Sequence, residues 1–165
     1  MTHSSAPAHP KVTATARDLI DGNLYLTLGT ADAEGRPWVA PVFYTADGYT
    51  DFYWVSAPDA VHSRNLAVRP EVSLVVFDSR APLGAAEAVY MSARAHEVPD
   101  EDLPRAAEVF RARMPDVDAF APEALRGPSP VRLYRATVVE HSGLVRAGDP
   151  DYGRPVDSRV PITLG

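Results

Sequence analysis

Phe52-Tyr53-Trp54-Val55-Ser56-Ala57-Pro58-Asp59-Ala60-Val61-His62-Ser63-Arg64-Asn65-Leu66 joins two patterns in one stretch. An aromatic, strand-forming run stops at a serine, and a short polar helix follows. Ser56 is placed to cap that helix, Pro58 suits its first turn, and Asp59 suits the positive end of its dipole. A helix that starts just beyond a strand is also an anion-binding element. Phe52, Tyr53 and Trp54 read first as core, and such rings also suit the wall of a site for a flat ligand.

On the N-terminal side, Leu24 to Ala31 alternates, with Leu24, Leu26 and Leu28 on one face and Tyr25 and Thr27 on the other. Asp32-Ala33-Glu34-Gly35 is a turn and Arg36 to Tyr44 a second strand, so the pair is a hairpin. Pro41 cannot donate to a ladder, which places its strand at an edge or at a bulge. Ala46-Asp47-Gly48 is a turn before the strand Tyr49 to Ser56, and Thr15 to Asp21 is a short helix stopped by Gly22. On the C-terminal side, the helix from Pro58 to about Val68 ends before Pro70. Val72 to Phe77 is nearly all apolar and reads as a strand buried on both faces. Val89 to Val98 is the fifth strand. Asp100 to Met114 is an amphipathic helix with Leu103, Ala107, Phe110 and Met114 on one face, ended by Pro115. A proline-rich crossing segment spans 115–130. Val131 to Val145 is the last strand, bent near Ser142-Gly143, and the chain from Arg146 reads as loop. Six mostly antiparallel strands with two or three helices make a mainly β protein, a small β-barrel with peripheral helices. The expected division is a flexible tail at 1–14, one domain at 15–147 and a loop-like tail at 148–165.

The chain has 165 residues, enough for one domain, and a net charge of -6 with Lys11 as its single lysine. That balance argues against a nucleic-acid partner and against Schiff-base chemistry. The absence of cysteine excludes disulfides and thiolate chemistry and fits a cytoplasmic setting. No apolar run approaches the ~20 residues of a membrane helix, and the first ten residues read as a tail without a secretory signal. The histidines are His3, His9, His62, His96 and His141; none falls in a metal-ligand motif, so no metal is expected. G-x-S-x-G, G-x-G-x-x-G and the P-loop are absent. Asp47 and Asp51 read as solvated turn acids.

One model uses several of these features together. A flat, anionic cofactor needs an apolar slot edged by backbone hydrogen bonds, and donors for its phosphate. The strand Trp38-Val39-Ala40-Pro41-Val42-Phe43 offers the first, and the Ser56 turn with residues 62–65 the second.

These pieces, in this order, resemble the pyridoxamine 5′-phosphate oxidase-like superfamily of FMN-binding split barrels. Leu26 to Pro37 is similar to the family's opening hairpin, and Trp38 to Phe43 to the strand along the flavin. Val55-Ser56 falls at the strand end that contacts the cofactor. His62-Ser63-Arg64-Asn65-Leu66 with Arg69-Pro70-Glu71-Val72-Ser73-Leu74 resembles the helix and strand often written K-x-R-N-L…P-x-V. Val89 to Ala95 resembles the next strand, and the resemblance covers roughly residues 18–145.

The resemblance implies a six-stranded Greek-key split barrel and a homodimer with FMN, or alternatively F420, in clefts between the subunits. It implies cofactor contacts from Val39, Ala40, Pro41, Val42, Val55, Ser56, His62, Ser63, Arg64 and Asn65. Glu87, Ala88 and Tyr90 would approach the cofactor held by the second subunit, and Tyr44 and Tyr53 are candidates to line the cleft. The implied activity is that of a flavin- or deazaflavin-dependent oxidoreductase on a small organic substrate, with no catalytic residue assigned. The alternative is a non-catalytic carrier or sensor of FMN, F420 or heme. Departures are specific. His62 stands where the family usually has lysine, and Ala60 where it often has serine. Trp38 and Phe43 stand where the vitamin B6 oxidases carry arginine and lysine, and their C-terminal arginine-histidine motif has no match, which argues against that substrate. A histidine titrates near neutrality, so cofactor affinity is expected to fall as pH rises.

Overall fold

The structure is a computed structural model that describes residues 9–114 and 120–165. Most of the expected N-terminal tail, 1–8, and the start of the crossing segment, 115–119 with Pro115, lie outside the described residues.

The chain runs α1 (Pro10–Gly22), β1 (Tyr25–Ala31), β2 (Pro37–Phe43), β3 (Thr45–Asp47), β4 (Asp51–Ser56), α2 (Val61–Val68), β5 (Glu71–Phe77), β6 (Ala88–Glu97), α3 (Leu103–Arg111), a 3-10 turn (Pro122–Leu125), β7 (Arg132–Val145) and β8 (Ser158–Ile162). The strands form one curled antiparallel sheet in the order β2-β1-β5-β6-β7-β4-β3, with β8 added beside β7. This is the mainly β split barrel the sequence predicts, with eight strands among the described residues rather than six.

Hairpin β1–β2 is closed by Asp32, whose Oδ1 accepts the backbone N–H groups of Glu34 and Arg36 at 3.0 and 2.9 Å. Gly35 supplies the positive φ of 83° that this turn needs. Along β1, Leu26, Leu28 and Thr30 point inward, whereas Leu24 precedes the strand and is 56% exposed. β2 ends the hydrogen-bonded path, so Pro41 does lie in an edge strand.

Five expectations need correction. β5 is buried on one face only: Val72, Leu74 and Val76 enter the core, while Glu71, Ser73 and Phe77 face out. A half-barrel encloses apolar space on one side, so an apolar run need not be doubly covered. The segment expected to be loop contains β8, which pairs with His141–Val145 and buries Val160 and, just beyond it, Leu164. Helix α1 begins at Pro10, where proline suits the first turn, rather than at Thr15. The irregularity of β7 is not at Ser142-Gly143. The β6–β7 register skips Val139, between Ala93↔Val138 and Ser92↔Glu140, and leaves it 68% exposed. Helix α3 is also shorter than expected, although Leu103, Ala107 and Phe110 are buried as the periodicity requires.

The main core gathers Tyr44, Phe52, Trp54, Leu26, Leu28, Leu74 and Val89, with the Trp54 ring stacked on Tyr134 at 5.9 Å. A second cluster joins α3 to the outer side of β4 through Tyr53, Leu103, Phe110 and Leu133. Arg113 locks that end by donating to the carbonyls of Tyr44, Asp21 and Asn23.

Gly143 is required by packing. A Cβ there would overlap Val12 Cγ1 of α1. Gly143→Ala is expected to destabilise the chain by about 1–3 kcal/mol, the usual range for overpacking. Adding Val12→Ala should recover part of the loss in urea unfolding; a neutral Gly143→Ala would contradict this packing.

Candidate functional site

Ser56 ends β4 and does not cap α2. The N-cap is Ala60, which offers no side-chain hydrogen bond. Residues 57–60 form a turn first, and the helix starts at Val61 rather than Pro58. Ser56 Oγ instead shares a 2.7 Å hydrogen bond with His62 Nε2. A side chain six residues on competes for the hydroxyl, and the free helix N–H groups remain without it.

Burial lowers the His62 pKa below the ordinary histidine value and favours the neutral ring. In this environment the expected fall of cofactor affinity with rising pH would centre below the ordinary histidine value. Arg64 turns its guanidinium to the carbonyl of Asp59. Asn65 is buried and donates through Nδ2 to Thr30 Oγ1 at 3.0 Å, and Thr30 Oγ1 donates to the carbonyl of Trp38 at 3.4 Å. Ser63 is buried too, with the Tyr134 hydroxyl against it. The relay Asn65–Thr30–Trp38 fixes the start of β2 against α2.

Beside that relay, Trp38 and Val39 are 46% and 61% exposed on the edge strand. They open a cavity of about 670 Å³ together with Thr30, Ser73, Glu71 and Arg94. Pro41 lines another, of about 380 Å³, with Tyr25 and Phe77. Val42 is buried, Ala40 and Val55 are half-buried, and neither these nor the α2 residues line the cavity at Trp38. The ten predicted site residues thus fall on adjacent elements, but one chain does not enclose them in a single pocket.

Tyr44 and Tyr53 are core residues, not cleft residues: both are buried. The Tyr44 hydroxyl donates to the Ile20 carbonyl at 2.5 Å, and burial pushes its pKa to about 12. Ala88 and Tyr90 are half-buried and Glu87 exposed at the start of β6, and Arg159 lies over the Tyr90 ring at 4.7 Å from its centroid. Sequence reasoning missed Thr30 and Arg159. Thr30 had a usable signal, a polar residue in register with the inward leucines; Arg159 sat in a segment read as loop.

His96 and His141 are also shifted below their ordinary value, chiefly by burial. A base with a lowered folded pKa takes its proton more readily in the unfolded chain. Stability is therefore expected to be full above the ordinary histidine value of 6.5 and to fall as the pH drops through 6.5 toward the lowered values. Thermal unfolding across this range checks it, and a melting temperature that rises on acidification would refute it.

Among the described residues no helix is long and apolar enough to cross a membrane, and no group of three His, Cys, Asp or Glu is placed to hold a metal. No curated protein sequence matches the chain. Solved structures do. A heme binding protein from Mycobacterium smegmatis superposes with a TM-score of 0.69 at 20% identity, covering 94% of this chain and 60% of that one. The chain thus spans about three-fifths of that protein's length. The heme storage protein HutZ from Vibrio cholerae matches at 0.60 and 24% identity, covering 74% of this chain and 87% of that one. An FAD-binding protein from Mesorhizobium loti matches at 0.57 and 23% identity, over 79% and 91%. These likenesses are likenesses of fold. The family model for pyridoxamine 5′-phosphate oxidase matches residues 12–143, and the chain belongs to that split-barrel family.

Proposed function

We propose that the chain is a flavin- or deazaflavin-dependent oxidoreductase acting on a small organic substrate. It works as a homodimer, with FMN or F420 as the ring-bearing cofactor. The observation that carries this reading is the exposed Trp38–Val39 edge, held against the start of α2 by the Asn65–Thr30–Trp38 relay. An apolar edge strand with free backbone groups suits an isoalloxazine-type ring. A second copy would supply the missing wall over this same outer sheet face, where Gly29, Ser73 and Ser92 line the Trp38 cavity. When bound, the ring supplies the redox chemistry. The chain's residues bind it, orient it and exclude water, and no side chain is assigned as acid or base. The absence of cysteine fits a reducing, cytoplasmic setting.

The ring side of the site fits such a cofactor. The phosphate side does not, because the polar groups at Ser56, His62 and Arg64 are engaged with one another or with backbone.

A second reading, a heme carrier or sensor, draws on two similar structures described as heme binding and heme storage proteins. Half-buried His62 would have to release Ser56 Oγ to serve it as an imidazole ligand. The visible spectrum of the purified protein separates the two. Flavin bands bleached by a nicotinamide donor support the enzyme, and a Soret band supports the carrier. No colour and no uptake of added FMN, F420 or heme would remove both.

A further inference from the structure

We infer that this site recognises the ring of its cofactor and not the terminal phosphate, so that it accepts an unphosphorylated isoalloxazine nearly as well as FMN. The inference rests on the cofactor reading above and specifies its ligand.

Apart from Ser63 Oγ, which is buried without a hydrogen-bond partner, the side chains around the Ser56 turn are committed elsewhere. Ser56 Oγ and His62 Nε2 satisfy each other at 2.7 Å. Burial disfavours the protonated His62 ring and so lowers its pKa below the ordinary histidine value. Arg64, the single Lys or Arg within β2, β4 and α2, points its guanidinium at the Asp59 carbonyl. Arg132 lies opposite Ser56 in the β4–β7 register. It donates to the carbonyls of Gly127, Ser129 and Val131 at 2.7–2.8 Å and pairs with Glu97 at 3.3 Å. Arg69, just after α2, donates to the carbonyls of Asp32 and Ala33 at 3.2 and 3.3 Å. Asn65 Nδ2 serves Thr30.

A phosphate monoester carries nearly two charges at neutral pH and is held by charge-assisted bonds from free cations. Here every such cation would first leave a carbonyl or a carboxylate. By contrast, Trp38 and Val39 are exposed and unpartnered on the apolar side. The free energy of binding therefore comes from ring burial.

The test titrates the full chain with riboflavin and with FMN near pH 7.5, following flavin fluorescence. A ratio of affinities below about tenfold in favour of FMN is expected; about tenfold or more overturns the inference. His62→Lys supplies the missing cation and is expected to tighten FMN by about tenfold while riboflavin changes less than about twofold. Equal tightening of both ligands would also overturn it. Binding of neither flavin, by wild type or His62→Lys, overturns both this inference and the FMN form of the cofactor reading, leaving F420 to be titrated, a different result from a high FMN preference.

Discussion

Replacing Trp54 by alanine is expected to cost about 3–5 kcal/mol of folding stability, the usual range for emptying a large aromatic site. The ring is 0% exposed. It stacks on Tyr134 with an interplanar angle of 15°, and these two residues are directly paired between β4 and β7. It lies in the same cluster as Phe52, Leu66 and Leu74, so the loss reaches α2 as well as the sheet. Leu66 is one residue from Asn65, whose relay fixes β2. Trp54→Ala should therefore weaken the cofactor site as well as the fold. Trp54→Phe keeps most of the area and should cost markedly less. Urea unfolding measures both; a loss under about 1 kcal/mol for the alanine variant would contradict the packing described.

Ser92→Arg carries the second large effect. Ser92 is exposed at the centre of the outer sheet face, paired with Ser73 across β5–β6, and Ser73 pairs with Gly29 across β1–β5. Val39, opposite Gly29 on β2, and Val139 at the bulge of β7 flank this row, both exposed. This small-residue ground lines the Trp38 cavity and suits a second copy of the chain, and a long side chain there would occupy the space the copy needs, even with Glu140 opposite it on β7. Ser92→Arg is expected to convert a dimer to a monomer in light scattering and to weaken cofactor binding by at least about 100-fold, since half of each cleft is lost. The monomer's own stability should shift by no more than about 0.5 kcal/mol, as for an exposed substitution. A variant that stays dimeric, or a wild type that is monomeric, would refute the second wall.

Much of this architecture was legible because local patterns agreed with the global fold. The β1–β2 hairpin announced itself through alternating leucines, an Asp-Gly turn and Pro41 at the edge. The aromatic run 52–54 was core because strand parity and size both demanded it. What was misread shares a cause: partners distant in sequence decide between local options. Val75 and Phe77 continue an apolar run, yet only tertiary curvature says which face is enclosed. β8 is short and interrupted by Pro161, and its pairing with β7 rather than its own pattern makes it a strand. Ser56 is a good cap in isolation, but His62 takes its hydroxyl. Tyr44 and Tyr53 were candidates to line the cleft, whereas the packing of β3, β4 and α3 buries them.

The central claim is that the exposed edge of β2, rather than the turn into α2, forms the cofactor face. Residue-resolved amide hydrogen exchange, with and without saturating FMN, tests it most directly. The account predicts slowed exchange at Trp38, Val39, Ala40 and Val42 (Pro41 has no amide), with smaller changes at Val61, His62 and Ser63. Unchanged exchange along β2, with protection elsewhere in the sheet, would contradict it.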